Sequence, residues 1–130
     1  MEMIVDFPGG FRVDAHFGSL TVPSDQPKES GGGDTAPSPF LIFLASLATC
    51  AGYYVLGFCR TRGISTEGMR LIQKVERDPV TKMVNKIRVE IQLPPTFPKQ
   101  YASAVIRAAD SCLVKKHLEK PPSFEIVTTE

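Results

Sequence analysis

Two rhythms of apolar residues run along this chain, and one stretch has no rhythm at all. From Phe40 to Cys59 no charged residue occurs. Apolar side chains there fall on every side of a helix, which must therefore be buried all round. Ser38 is a cap-type residue, and Pro39 suits the first helical position, where its missing N–H costs nothing. Arg60 and Arg62 fall in the last turn, where they complement the helix dipole, and Gly63 suits the position just past it. The pattern predicts a helix from Pro39 to Arg62, roughly 24 residues and about 36 Å long. Three environments would cover it: a membrane, the rest of one domain, or a second chain sharing its own helix. Ser46, Thr49, Gly52 and Gly57 give it small faces suited to close helix packing. The flanks read as folded-domain sequence, so the membrane ranks last. A 1–6 segment without basic residues also does not read as a signal peptide.

Before this helix the period is two. Met1 to Asp6 predicts a short strand, and Pro8-Gly9-Gly10 a turn. Phe11, Val13, Ala15 and Phe17 then alternate with Arg12, Asp14 and His16, and Ser19 to Val22 resumes a strand. Arg12 reads from spacing as a solvated strand residue. Pro23 to Ser38 is loop. Its Gly31-Gly32-Gly33 lacks the Gly-Lys-Ser/Thr of a phosphate cradle and the spacing of a dinucleotide fingerprint, so it reads as a flexible connection at the helix mouth.

After the helix, Ser65 to Arg77 alternates imperfectly, Asp78-Pro79-Val80-Thr81 signals a turn, and Ile87, Val89, Ile91 and Leu93 alternate cleanly. The pair reads as an antiparallel hairpin with one wet face. Pro98 to Ala109 has helical spacing. Asp110 and Ser111 break it, and Cys112 to Lys120 forms a second piece, with Cys112 in its first turn if either residue caps it. Pro121-Pro122 ends that piece, and Phe124 and Ile126 mark a last strand. Antiparallel strands with segregated helices make the class α+β, and the length suits one domain, 1–130.

Charge changes this picture little. Fifteen basic residues stand against 14 acidic ones, so neither a nucleic-acid partner nor an anionic membrane surface is expected. Three cysteines form no disulfide framework, and a reducing, cytoplasmic location is the default. His16 and His117 have no metal-type spacing. Cys50 and Cys59 lie on opposite faces of the helix. Cys59 reads as a small core residue. Cys50 sits among Ala48, Thr49, Ala51 and Gly52, small enough to let another segment or a ligand reach its sulfur. It is too far from the helix start for the dipole to activate it, so a reactive Cys50 needs a cation supplied from elsewhere.

Three features together resemble the OsmC/Ohr family. Gly33-Asp34-Thr35-Ala36-Pro37-Ser38-Pro39 leads directly into an apolar helix with a central cysteine (PSPFLIFLASLATC). A second cysteine follows some sixty residues on, after a helix and before a basic piece (AADSCLVKKHLEK). The order of elements matches from end to end. The resemblance implies an OsmC-like fold, antiparallel sheets around a long central helix in an intertwined homodimer, with two sites at the interface. It implies thiol-dependent reduction of organic hydroperoxides, with Cys50 as the attacking cysteine, Cys112 as the resolving one and an external dithiol as reductant. No metal or organic cofactor is implied. Phe40, Phe43 and Tyr53 would supply apolar walls that favour fatty hydroperoxides.

Two positions depart from the family pattern. Peroxidase branches carry a Glu at the helix start that holds a catalytic Arg against the thiolate. Phe40 and Leu41 stand there instead, and Arg12 is the one arginine before the helix. Leu113 follows Cys112 where the family often has Pro. The alternative reading is a dimeric protein that binds an apolar or thiol-reactive small molecule, with Cys50 as contact or sensor.

Overall fold

A computed structural model describes residues 1–129. The chain is mixed α+β and divides into two compact units, Met1–Ala45 and Ser46–Glu130.

The first unit is an antiparallel meander of β1 (Ile4–Gly9), β2 (Arg12–Phe17) and β3 (Leu20–Val22). β1 runs further than expected, because the chain bulges between Asp6 and Gly9 before it turns. His16 binds the strands together: its ring nitrogens meet Asp6 Oδ2 at 3.1 Å and Thr21 Oγ1 at 2.9 Å. The segment that follows is pinned rather than loose. Asp25 is buried, and its carboxylate accepts N–H bonds from Gln26 at 2.7 Å, Thr35 at 3.1 Å and Gly33 at 3.4 Å, and the Thr35 hydroxyl at 2.6 Å. The hydroxyl and N–H of Thr35, then the N–H of Gln26, hold its pKa down at about 2. Gly32 belongs to the same knot, since a Cβ there would run into the Gln26 carbonyl. The expectation of a flexible connection is therefore corrected.

The long helix, α1, spans Pro39–Thr61. Ser38 caps it, accepting the Leu41 N–H on its side chain at 3.4 Å and the Ile42 N–H on its carbonyl at 3.0 Å. Its far end closes as a Schellman motif. Gly63 takes a left-handed φ of 65°, Ile64 N–H reaches Cys59 O at 2.8 Å, and Gly63 N–H reaches Arg60 O at 3.3 Å. Arg62 lies just beyond and stacks on Phe58, 3.7 Å from the ring centre. The helix is long and apolar enough to cross a membrane, and 22% of its apolar window is buried within one chain. Tyr53 and Leu56 face outward, 68% and 38% exposed.

The second unit holds the expected hairpin, β4 (Arg70–Arg77) paired antiparallel with β5 (Val84–Gln92). Asp78 shapes its turn by accepting the N–H groups of Val80 and Thr81. A short 3₁₀ turn leads into α2 (Ala102–Asp110), and α3 (Leu113–Glu119) follows. The core gathers Val55, Phe58, Cys59, Phe97 and Val105, with Met69, Leu71 and Ile91 packed against it. Burying a side chain such as Val105 contributes about 1.5–3 kcal/mol. The strand expected at Phe124 and Ile126 is absent. Residues 121–129 are unpaired in secondary structure, and Phe124 and Ile126 are 87% and 94% exposed. Alternation alone cannot make a strand; it needs a partner to bond, and residues 121–129 pair with no strand of the described chain.

Candidate functional site: a two-cysteine centre

The backbone bonds at the start of α3 define the site. A helix leaves its first four N–H groups without partners inside the helix. Lys116 N–H bonds the Cys112 carbonyl at 3.1 Å. Lys115 N–H bonds the Cys112 sulfur at 3.4 Å. The N–H groups of Val114 and Leu113 lie near enough to Cys50 to lower its pKa. The cap of α3 is therefore Cys112 itself, not Asp110 or Ser111. Asp110 instead accepts an ion pair from Lys115, which also lies 3.6 Å from Glu119.

The two cysteines are close enough to act on each other's ionisation. Both cysteines are free thiols, Cys50 half-buried and Cys112 buried. Their ionisations are pushed apart. Burial pushes the Cys50 thiol up, but the N–H of Val114, the Cys112 thiol and the N–H of Leu113 together outweigh it, and its pKa falls below the ordinary value. Burial raises the Cys112 thiol, and the neighbouring Cys50 raises it further. The arrangement is one thiol poised to lose its proton and one poised to keep it. Cys59 plays no part; it is fully buried against Met69, and burial raises its pKa.

Arg12, the third residue singled out from sequence, lies in β2 and pairs with Asp14 two residues along the same strand, at 3.3 Å. The pair is incompletely satisfied, with Arg12 Nε and Asp14 Oδ1 both buried and unbonded.

Beside Cys112 the second unit encloses a cavity of about 550 Å³. Its wall is mainly aliphatic: Leu47, Val89, Ile91, Leu93, Ile106 and Leu118, with Arg107 and Lys115 as cations. None of Phe40, Phe43 or Tyr53 lines it. The apolar walls come from the hairpin and the three helices, whose apolar residues read in the sequence as ordinary core. Leu113 and Val114 were also missed, since a backbone N–H leaves no mark on the side-chain pattern. One available signal was the non-proline residue after Cys112. Among the described residues no three His, Cys, Asp or Glu side chains converge as metal ligands would.

The fold has relatives of known structure. A protein from Psychrobacter arcticus, assigned to osmotic stress induction and the detoxification response, superposes with a TM-score of 0.73 at 22% identity, over 88% of this chain and 85% of its own. The organic hydroperoxide resistance protein OsmC of Legionella pneumophila gives 0.55 at 20% identity, over 91% and 89%. A Vibrio cholerae protein assigned to organic hydroperoxide resistance, with captopril bound in one of its active sites, gives 0.56 at 18%, over 93% and 86%. No curated protein matches. The family model described as OsmC-like protein matches residues 31–127, which take in the end of the pinned loop, α1, both strands of the hairpin and both cysteines of the centre. With that match and this fold together, the chain belongs to the OsmC-like protein family.

Proposed function

We propose that this chain is a thiol-dependent, peroxidase-type redox protein that reduces organic hydroperoxides through Cys50 and Cys112. The observation that carries the reading is a pair of free thiols near enough to shift each other's pKa, and in opposite directions. A depressed pKa supplies the nucleophile, and a neutral thiol beside it supplies the trap. The Cys50 thiolate attacks the distal peroxide oxygen. The O–O bond breaks, and the leaving alkoxide takes a proton and departs as the alcohol. Cys50 is left as a sulfenic acid. The Cys112 thiol attacks that sulfur, the disulfide forms, and water leaves. An external dithiol then exchanges with the disulfide, returns both thiols, and departs as its own disulfide. Arg12 is the proposed cationic contact for the thiolate, held on its own strand by Asp14. The aliphatic cavity suits the hydrocarbon part of a fatty hydroperoxide.

The working unit in this reading is an intertwined homodimer in the reducing cytoplasm, with no nucleic-acid or membrane partner. The apolar surface that α1 leaves uncovered in a single chain supports the dimer. The hydroperoxide resistance assignments of the Legionella and Vibrio proteins support the chemistry. The test is a single turnover with one equivalent of cumene hydroperoxide, following peroxide and free thiol together. Rapid loss of two thiols per chain is expected. Cys50→Ser should abolish it, and Cys112→Ser should leave a trapped sulfenic acid. Thiol loss no faster than that of free cysteine would rule the reading out. The cavity favours one second reading, a binding protein for an apolar small molecule, which that same negative result would promote.

A further inference from the structure

The cavity of the second unit carries a charge that the proposed reaction does not use. Its volume of about 550 Å³ lies within the range of small-molecule sites, roughly 300–1,000 Å³. On the hairpin, Val89 and Ile91 are alternate residues of one face. On α2, Ala102, Val105, Ile106 and Ala109 stand at i, i+3, i+4 and i+7, which is again one face. Ile106 and Leu118 line the cavity and remain exposed, so it is open to solvent. Among the described residues no aromatic ring lines it. A wall of this kind packs a flexible alkyl chain and offers no ring on which a flat ligand would stack. Three charged side chains line the cavity, and two of them cancel. Asp110 pairs with Lys115, which also lies 3.6 Å from Glu119. Arg107 makes no ion pair among the described residues. Gln73 brings an amide to the wall and no charge. An aliphatic cavity is left with one uncompensated cation.

We propose that this cavity binds a long-chain carboxylate, with Arg107 as the specificity-determining residue that takes the head group. A guanidinium presents paired N–H donors that match the two oxygens of a carboxylate, and the aliphatic wall takes the chain. The inference rests on the reading of the cavity as a hydrocarbon site and goes beyond it. Cys112 lines the cavity and Cys50 does not, and the ligand needs no peroxide group to bind. Arg107 also stands in the last turn of α2, where any cation complements the helix dipole. The head-group role is separable from that one, because only a bound ligand distinguishes an acid from its ester.

The test titrates the reduced full-length protein with cis-parinaric acid and with its methyl ester, reading the fluorescence that the polyene gains on leaving water. Wild type should bind the acid about fivefold more tightly than the ester, the upper range for an ion pair open to solvent. Arg107→Gln should remove that preference by weakening the acid alone, and Arg107→Lys should restore part of it. Ile106→Gln, at an exposed position of the wall, should weaken acid and ester alike. No binding, equal binding of acid and ester by wild type, or an acid preference that survives in Arg107→Gln would overturn the proposal. Location is read separately with a doxyl-labelled stearate. The methyl signals of Ile91, Leu93 and Leu118 should broaden first; broadening that favours Ile4 and Leu20 of the first unit would overturn it too. Binding of parinarate uses no thiol and should persist in Cys50→Ser. A protein inactive towards cumene hydroperoxide that still selects the acid through Arg107 would lose the peroxidase reading and keep this one.

Discussion

Asp25 in the first unit and Cys50 in the second are built the same way and do different things. Each is an acidic group that backbone N–H groups push towards its anion: Gln26, Gly33 and Thr35 bond the carboxylate of one, and Leu113 and Val114 lower the pKa of the other. At Asp25 the acceptor is a carboxylate, ionised throughout the physiological range with its pKa at about 2, and inert. The bonds it collects are permanent, and they organise the loop from Asp25 to Thr35. At Cys50 the acceptor is a sulfur whose anion forms nearer neutrality and is a nucleophile. The same donors there tune reactivity. Converging N–H groups specify an anion; the element that carries the charge decides whether the result is scaffold or chemistry.

The largest expected difference lies between the cysteines themselves. At pH 7, Cys50 should alkylate roughly a hundredfold or more faster than Cys59, whose raised pKa and full burial require a local opening before reagent can reach it. Peptide mass mapping over a time course reads this directly. Comparable rates would mean that the N–H groups on Cys50 confer no advantage, and the parallel with Asp25 would fail.

Next comes the scaffold side. Asp25→Ala should lower the melting temperature by several degrees, because three N–H groups and a hydroxyl lose their acceptor inside the fold. Asp25→Asn keeps one acceptor oxygen and should fall between. The sign of the pH dependence follows from a depressed pKa. The carboxylate's contribution is fully present above the unfolded value of about 3.8 and is lost as pH falls through about 2. The gap between wild type and Asp25→Asn should therefore close across that window. A gap constant with pH would show that charge is irrelevant at Asp25, and that the two sites do not share a design.

Much of this was legible locally and little of it at a distance. Ser38, Pro39 and Gly63 announced the ends of α1 because capping chemistry is settled within four residues. The alternation of Ile87, Val89 and Ile91 announced β5 because period two survives any partner. Cys50 stood out as a chemical group in an apolar run. Cys112 as a helix cap was hidden behind Asp110 and Ser111, both better caps by propensity, until the fold gave Asp110 to Lys115. The strand read at Phe124 and Ile126 failed because its pattern was present and its pairing was not. Asp25 was one carboxylate in a polar loop, and only the folded loop shows what it binds.

A smaller effect separates the two roles of Cys112. Cys112→Val removes the sulfur that accepts the Lys115 N–H and should cost about 1 kcal/mol, the usual worth of a cap. Cys112→Ser replaces one acceptor with another and should cost less, although it equally removes the thiol proposed to resolve the sulfenic acid. Urea midpoints compare the two variants, and amide exchange in α3 shows whether the loss is local. Equal destabilisation would mean that the sulfur is held for its chemistry alone and contributes nothing to the cap.

The smallest effect is the most discriminating. Lys115 is the cation nearest in sequence to the N–H groups on Cys50, and a charge there could lower a thiol's pKa without any help from the peptide. Its ammonium is engaged by Asp110 and Glu119 on the exposed side of α3, where ion pairs are screened and contribute at most about 1 kcal/mol. Lys115→Gln should therefore leave the Cys50 alkylation midpoint within about 0.3 units of wild type. A rise approaching a full unit would assign the thiolate to a side-chain charge, and Cys50 would no longer belong with Asp25 as a site made by backbone. A midpoint unmoved by Lys115→Gln leaves burial, the N–H groups of Val114 and Leu113 and the Cys112 thiol as the influences on Cys50.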